Sequence, residues 1–185
     1  MSSRLPALLG FFLLALQGSL AWSAAAADLP DQVLGMKLHG AGVRTVLGLH
    51  MYQAGLYLQR TEQDAERIID KDAPMAMRLV ITSSMITKER MRRYIQEGFE
   101  KATNGHVEPL AGRIEQAMAA FHDDVGHGDC FDFIYKPEGG VQILKNNKII
   151  TTIPGIDFKK ALFAIWLGPD PVQKSLRDAL LGKKS

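Results

Sequence analysis

Gly40-Ala-Gly-Val-Arg-Thr-Val-Leu-Gly-Leu-His-Met-Tyr-Gln-Ala-Gly-Leu-Tyr-Leu58 is a run of small and strand-forming residues carrying one full charge, Arg44. As one strand it would extend about 60 Å at ~3.3 Å per residue, too long for a small domain. It must turn, and Gly48 is the natural place because glycine takes positive φ without steric cost. A three-residue loop at Leu47-Gly48-Leu49 sets Arg44 directly opposite Tyr52. A slip of one residue would put Met51 or Gln53 there instead. The expected hairpin thus holds a guanidinium and a phenol side by side on one face of a sheet.

An arginine keeps its proton, so a buried one needs an anionic or polar partner. The hairpin contains no Asp or Glu. The partner must come from elsewhere in the fold, from water or from a ligand. A carboxylate or enolate suits the guanidinium fork, and a tyrosine hydroxyl adds a donor. The alternative is an Arg44 that faces solvent or pairs with a distant acid.

Working outward, residues 1–27 read as a secretory leader. Arg4 is followed by an apolar core from Leu8 to Leu16 and small residues at Ser23-Ala-Ala-Ala-Ala27. The core is too short to span a bilayer alone. Cleavage near Ala27 would leave one domain at 28–185, periplasmic or secreted, with no stable membrane anchor. The formal charge of +2 falls to about +1 without Arg4, which gives no basis for nucleic-acid binding. Cys130 is the lone cysteine, so no internal disulfide can form.

Gln32 to His39 reads as a first strand ended by Gly40. A short helix follows over Thr61–Ile69, then a buried strand over Met75–Thr82. Thr87 caps the clearest helix, with Met91, Tyr94, Ile95, Gly98, Phe99 and Ala102 on one stripe. Its basic residues lie on the opposite, solvated face. Pro109 opens another helix reaching Phe121. The loop His122-Asp-Asp-Val-Gly-His-Gly-Asp129 crowds histidines and acids in no standard ligand spacing, so no metal is assigned. Three strands follow, the last two joined through Asn146-Asn147. Two helices end the chain, the first capped by Asp157 and the second by a capping box at Asp170-Pro-Val-Gln173. Strands in succession with helices gathered apart give an α+β fold, an antiparallel sheet covered by helices on one face.

Three segments in order resemble the chalcone isomerase superfamily, in its bacterial secreted branch. They are Gly40-Ala-Gly-Val-Arg44 with Tyr52-Gln-Ala-Gly-Leu-Tyr-Leu58, Gly128-Asp129 through Tyr135-Lys-Pro137, and Gly155-Ile-Asp-Phe-Lys-Lys-Ala-Leu-Phe-Ala-Ile-Trp-Leu-Gly-Pro169. The resemblance implies an open-faced β-sandwich and a ligand-contacting Arg44. The superfamily holds flavonoid-forming isomerases and non-catalytic fatty-acid binders. At the position of Tyr52 the isomerases carry threonine and the binders tyrosine. The isomerases also use a tyrosine and an asparagine seven residues apart on a helix. Here Tyr94 and Asn104 are ten apart.

The resemblance therefore implies a non-catalytic binder of a fatty acid or similar apolar anion, with no cofactor. Arg44 and Tyr52 would take the carboxylate, and Tyr94, Phe99, Phe158 and Leu162 would wall the tail. The alternative is a chalcone isomerase-type intramolecular lyase in which Arg44 stabilises an oxyanion, with Arg44 and Tyr52 as its catalytic pair.

Overall fold

The computed structural model describes residues 29–183; the leader expected at 1–27 lies outside them. Seven strands form one antiparallel meander in sequence order. They are β1 (Gln32–Val33), β2 (Met36–Val46), β3 (Leu49–Leu58), β4 (Met75–Ile81), β5 (Cys130–Lys136), β6 (Gly140–Lys145) and β7 (Lys148–Ile153). The helices are α1 (Ala65–Asp70), α2 (Lys88–Ala102), α3 (Ala111–Met118), α4 (Ile156–Leu167) and α5 (Lys174–Leu180). Short 3-10 segments flank α3 at Glu108–Leu110 and Ala119–Phe121. The expected α+β architecture is the one observed.

The sheet alternates as a pleat requires. Tyr52, Ala54, Leu56, Met77, Leu79, Phe131 and Phe133 face the helix layer and join its core with Phe99, Phe158, Leu162 and Trp166. The opposite face carries a smaller cluster of Val33, Met36, Tyr57, Ala76 and Ile134. Beside it Arg78 and Asp132, directly opposed on β4 and β5, form a bidentate pair at 2.7 and 2.9 Å. Cys130 lies half-buried on β5, its thiol pushed up to about 11 chiefly by burial.

Arg44 does stand opposite Tyr52, but by a different local route. The turn is two residues long, Leu47-Gly48, both at positive φ. It pairs Val46 with Leu49 and Thr45 with His50. A bulge at Met51 then restores the offset that a three-residue loop would have supplied. The β6–β7 turn follows expectation, with Asn146 and Asn147 both left-handed.

Other boundaries differ. Gln32 to His39 is two strands, because Leu34 and Gly35 at positive φ make a tight turn between β1 and β2. Gly40 does not end a strand; β2 runs through it with a bulge at His39. Its missing side chain serves packing: a Cβ there would collide with the carbonyl oxygens of Ala179 and Leu180. At Gly42 a Cβ would stand 2.8 Å from Ala179 Cβ and 2.9 Å from Leu176 Cδ1. The Gly-Ala-Gly string is thus the seat of α5. The helix expected from Thr61 starts at Ala65, because Asp64 accepts from the amides of Glu66 and Arg67 and caps it.

Asp157 is not the cap of α4. Gly155 occupies that position, and Asp157 binds Arg113 of α3 at 2.7 and 2.6 Å. No capping box forms at α5 either; Gln173 is its N-cap residue, and its side chain is engaged elsewhere. Thr87 caps α2 as expected, accepting from the Arg90 amide. Fully buried Lys159 of α4 donates to the carbonyls of Ile68, Ile69 and Lys71 at 3.0, 2.5 and 2.9 Å. It thereby supplies a donor to the Ile68 and Ile69 carbonyls at the C-terminal end of α1; the Lys71 carbonyl also accepts from the Ala73 amide.

Candidate functional site

Arg44 and Tyr52 lie at one end of the β2–β3 pair, beneath α2 and beside the start of α5. Arg44 is half-buried. Its Nη1 donates to Gln173 Oε1 at 3.2 Å and to the Thr45 carbonyl at 3.3 Å. Gln173 Oε1 also accepts from the Thr45 amide at 2.9 Å, while its Nε2 donates to the Thr45 hydroxyl at 3.2 Å. Every partner of the guanidinium is neutral. Among the described residues no carboxylate comes within 4 Å of it.

Tyr52 is 6% exposed, and its oxygen accepts from Trp166 Nε1 at 3.0 Å. Burial pushes its pKa up to about 12, against the Trp166 hydrogen bond and the Arg44 charge. The phenol is therefore neutral at physiological pH. Its own proton is donated to no acceptor among the described residues. The recess so formed presents a fixed cation and a hydroxyl donor of the kind that binds an oxyanion.

The rest of the lining is mostly apolar. Val46 and Met51 of the hairpin, Tyr94 and Gly98 of α2, and Val172 ahead of α5 enclose about 80 Å³, with the exposed Glu97 and Lys101 of α2 alongside. Gly98 lets α2 approach α4 closely, since a Cβ there would meet Ile165 at 2.8 Å. A headgroup fits. A complete acyl chain does not, since sites for drug-sized ligands span roughly 300–1,000 Å³.

The structure thus brings together Arg44, Tyr52 and Tyr94. It places Phe99, Phe158 and Leu162 in the core, each 0% exposed, with the Phe99 and Phe158 rings 5.5 Å apart. These three do not line the recess; Phe99 backs a separate pocket of about 220 Å³ between α2 and α3, with Val107, Ile114 and Met118. Gln173 was missed because it is 129 positions from Arg44 and sits in what reads as a capping box. A larger cleft of about 400 Å³ opens at the other end of β3, near Leu58, Arg60, Arg67 and Lys71. It contains none of the residues expected from sequence. Among the described residues no group of three or more His, Cys, Asp or Glu is placed to hold a metal ion.

A family model described as chalcone isomerase-like matches residues 24–182. The chain belongs to the chalcone isomerase-like family. A solved structure of a fatty-acid binding protein from Arabidopsis thaliana is similar at a TM-score of 0.64 and 14% sequence identity. The match covers 82% of this chain and 90% of that one. At that identity the likeness is one of fold. No curated protein sequence matches significantly. Within this chalcone isomerase-like fold, the Gly-Ala-Gly string seats α5, and α5 in turn brings Gln173 to Arg44. Among the described residues no helix is long and apolar enough to cross a membrane.

Proposed function

We propose that this chalcone isomerase-like protein is a non-catalytic binder of the carboxylate of a fatty acid or similar apolar anion. The observation that carries the reading is Arg44: a half-buried cation with only neutral partners, next to a phenol whose proton is undelivered. An incoming carboxylate would complete both. The methylenes nearest the carboxylate would lie against Val46, Met51, Tyr94 and Val172, and the remaining tail would leave through the mouth. Phe99, Phe158 and Leu162 would touch a tail only if α2 moved off α4. The leader pattern at 1–27 supports a periplasmic or secreted location. The name of the similar Arabidopsis protein agrees with a fatty-acid ligand without fixing it.

The same two donors would also stabilise an oxyanion developing during a cyclisation, which keeps an isomerase as the second reading. A proton-transfer step would need a group titrating near neutrality. Tyr52, pushed up to about 12, does not supply one. Mass spectrometry of the organic extract from gently purified protein tests the first reading. A carboxylic amphiphile should be present, and Arg44→Ala should lose it while staying folded. Turnover of a chalcone-type substrate that collapses in Arg44→Ala would instead establish the enzyme.

A further inference from the structure

Leu47 is 97% exposed at the tip of the β2–β3 hairpin. It has φ +51 in a two-residue turn where asparagine is preferred and a bulky side chain is penalised. Neither burial nor turn geometry accounts for a leucine there. Leu49, 49% exposed, and Met85, 44% exposed, share that end of the sheet. The loop carrying Met85 is tied to the hairpin base by the Thr82 amide, which donates to the Met51 carbonyl at 3.0 Å. Val46 and Met51, on either side of the tip, line the Arg44 recess. Leu34, another leucine at positive φ, occupies the opposite end of β2, away from the recess.

The surrounding charge is mixed, with Glu89 beside Arg90 and Glu97 at the recess, but cations stand closest to the tip. The hairpin from Arg44 to Met51 contains no acid. Arg90 donates to the Met85 backbone carbonyl at 3.0 Å, which holds its guanidinium against the loop that carries Met85. Exposed Lys174 opens α5 next to Gln173. Lys88 is engaged with Asp124 at 3.5 Å. An apolar prong flanked by cations is the pattern that enters the headgroup boundary of an anionic bilayer.

We infer that the β2–β3 tip docks the protein on an anionic lipid bilayer. Leu47, Leu49 and Met85 enter the boundary, Arg90 and Lys174 face the headgroups, and the recess opens toward the membrane that supplies its ligand. The supply step rests on the carboxylate reading of the recess; the docking rests on the tip. The test is co-sedimentation with vesicles of phosphatidylcholine alone and of phosphatidylcholine with phosphatidylglycerol, alongside octanoate titration in solution. The wild-type chain should sediment with the anionic vesicles. Leu47→Asn with Leu49→Thr should weaken that at least tenfold, keep octanoate binding, and keep or raise the melting temperature, since asparagine suits the turn. No wild-type sedimentation, or equal sedimentation of the variant, would overturn the docking while leaving the carboxylate reading intact. A variant that changes oligomeric state without any vesicle retention in the wild type would mark the tip as a protein contact and also overturn it. Sedimentation through the tip without octanoate binding would sink the recess reading alone.

Discussion

Gln173 Oε1 accepts from Arg44 Nη1 and from the Thr45 amide at once, at 3.2 and 2.9 Å. It holds the cation in place without neutralising it. Replacing the amide by a carboxylate keeps the Oε1 acceptor and adds a charge; the Nε2 donor to the Thr45 and Ser175 hydroxyls becomes an acceptor, to which those hydroxyls can turn and donate. Gln173→Glu is therefore expected to keep the fold and to lower affinity for a carboxylic ligand by roughly 10- to 100-fold. That corresponds to about 1.5–3 kcal/mol for a hydrogen bond to a charged group. Calorimetric titration with octanoate reads the loss, and the melting temperature should hold or rise. Unchanged affinity would mean that Arg44 is not the carboxylate's partner.

The enclosed space at Arg44 makes a claim about chain length. Each methylene taken out of water contributes about 0.8 kcal/mol. The recess, at about 80 Å³, is far smaller than sites that take a whole drug-sized ligand, so only the methylenes nearest the carboxylate can be enclosed. Affinity measured along a series of straight-chain carboxylates in solution should rise over the shortest members and then flatten. A steady rise to long chains would show that α2 lifts and that Phe99, Phe158 and Leu162 contact the tail.

The pairing of Arg44 with Tyr52 was legible because the buried face of β3 fixes register, even though the turn was assigned the wrong length. Leucine at Leu47 concealed the two-residue turn, since its φ of +51 is one that leucine rarely adopts. The bulge at Met51 then cancelled the error. What sequence could not convey was whether an apolar stripe faces a cleft or a packed core. Tyr94, Phe99, Phe158 and Leu162 read alike along their helices, yet Tyr94 reaches the recess, Phe99 backs a different pocket between α2 and α3, and Phe158 and Leu162 are sealed in. Gly40 and Gly42 were visible as glycines, but their reason is α5, which lies far along the chain.

Titration should leave a two-sided signature in alkaline solution. Burial pulls the Lys159 ammonium down to about 8 from its ordinary 10.5. Between those values the unfolded chain binds the proton and the native one does not, so this group makes stability rise with pH. Tyr52, Tyr57 and Tyr135 are each pushed up to about 12 from 10, chiefly by burial. Their contribution is complete below pH 10 and is lost as pH climbs toward 12. Cys130, pushed up from 9 to about 11, opposes the climb from pH 9 on. Urea midpoints should therefore climb from pH 8 toward 9, level off, and fall beyond 10, with phenolate absorbance appearing as the chain unfolds. Lys159→Met should abolish the climb, and at neutral pH it should destabilise by about 1–3 kcal/mol for the carbonyls left without a donor. A flat profile would sink the argument.

The seat of α5 gives a prediction in which two glycines act oppositely. At Gly42 an added methyl would stand 2.8 Å from Ala179 Cβ and 2.9 Å from Leu176 Cδ1, so α5 must shift. Overpacking of this kind costs about 1–3 kcal/mol. The shift also moves Gln173 at the start of α5, so Gly42→Ala should weaken octanoate binding as well as lower the melting temperature. Gly112 sits inside α3, exposed, with open space where a Cβ would go. There alanine restricts the unfolded chain and suits the helix, so Gly112→Ala should stabilise by about 0.5–1 kcal/mol and leave binding unchanged. Thermal melts and titrations of the two variants separate a glycine needed for close approach from one that is merely tolerated. If Gly42→Ala lost stability but bound octanoate normally, α5 would not be what positions Arg44, and the link from the Gly-Ala-Gly string to the recess would be broken.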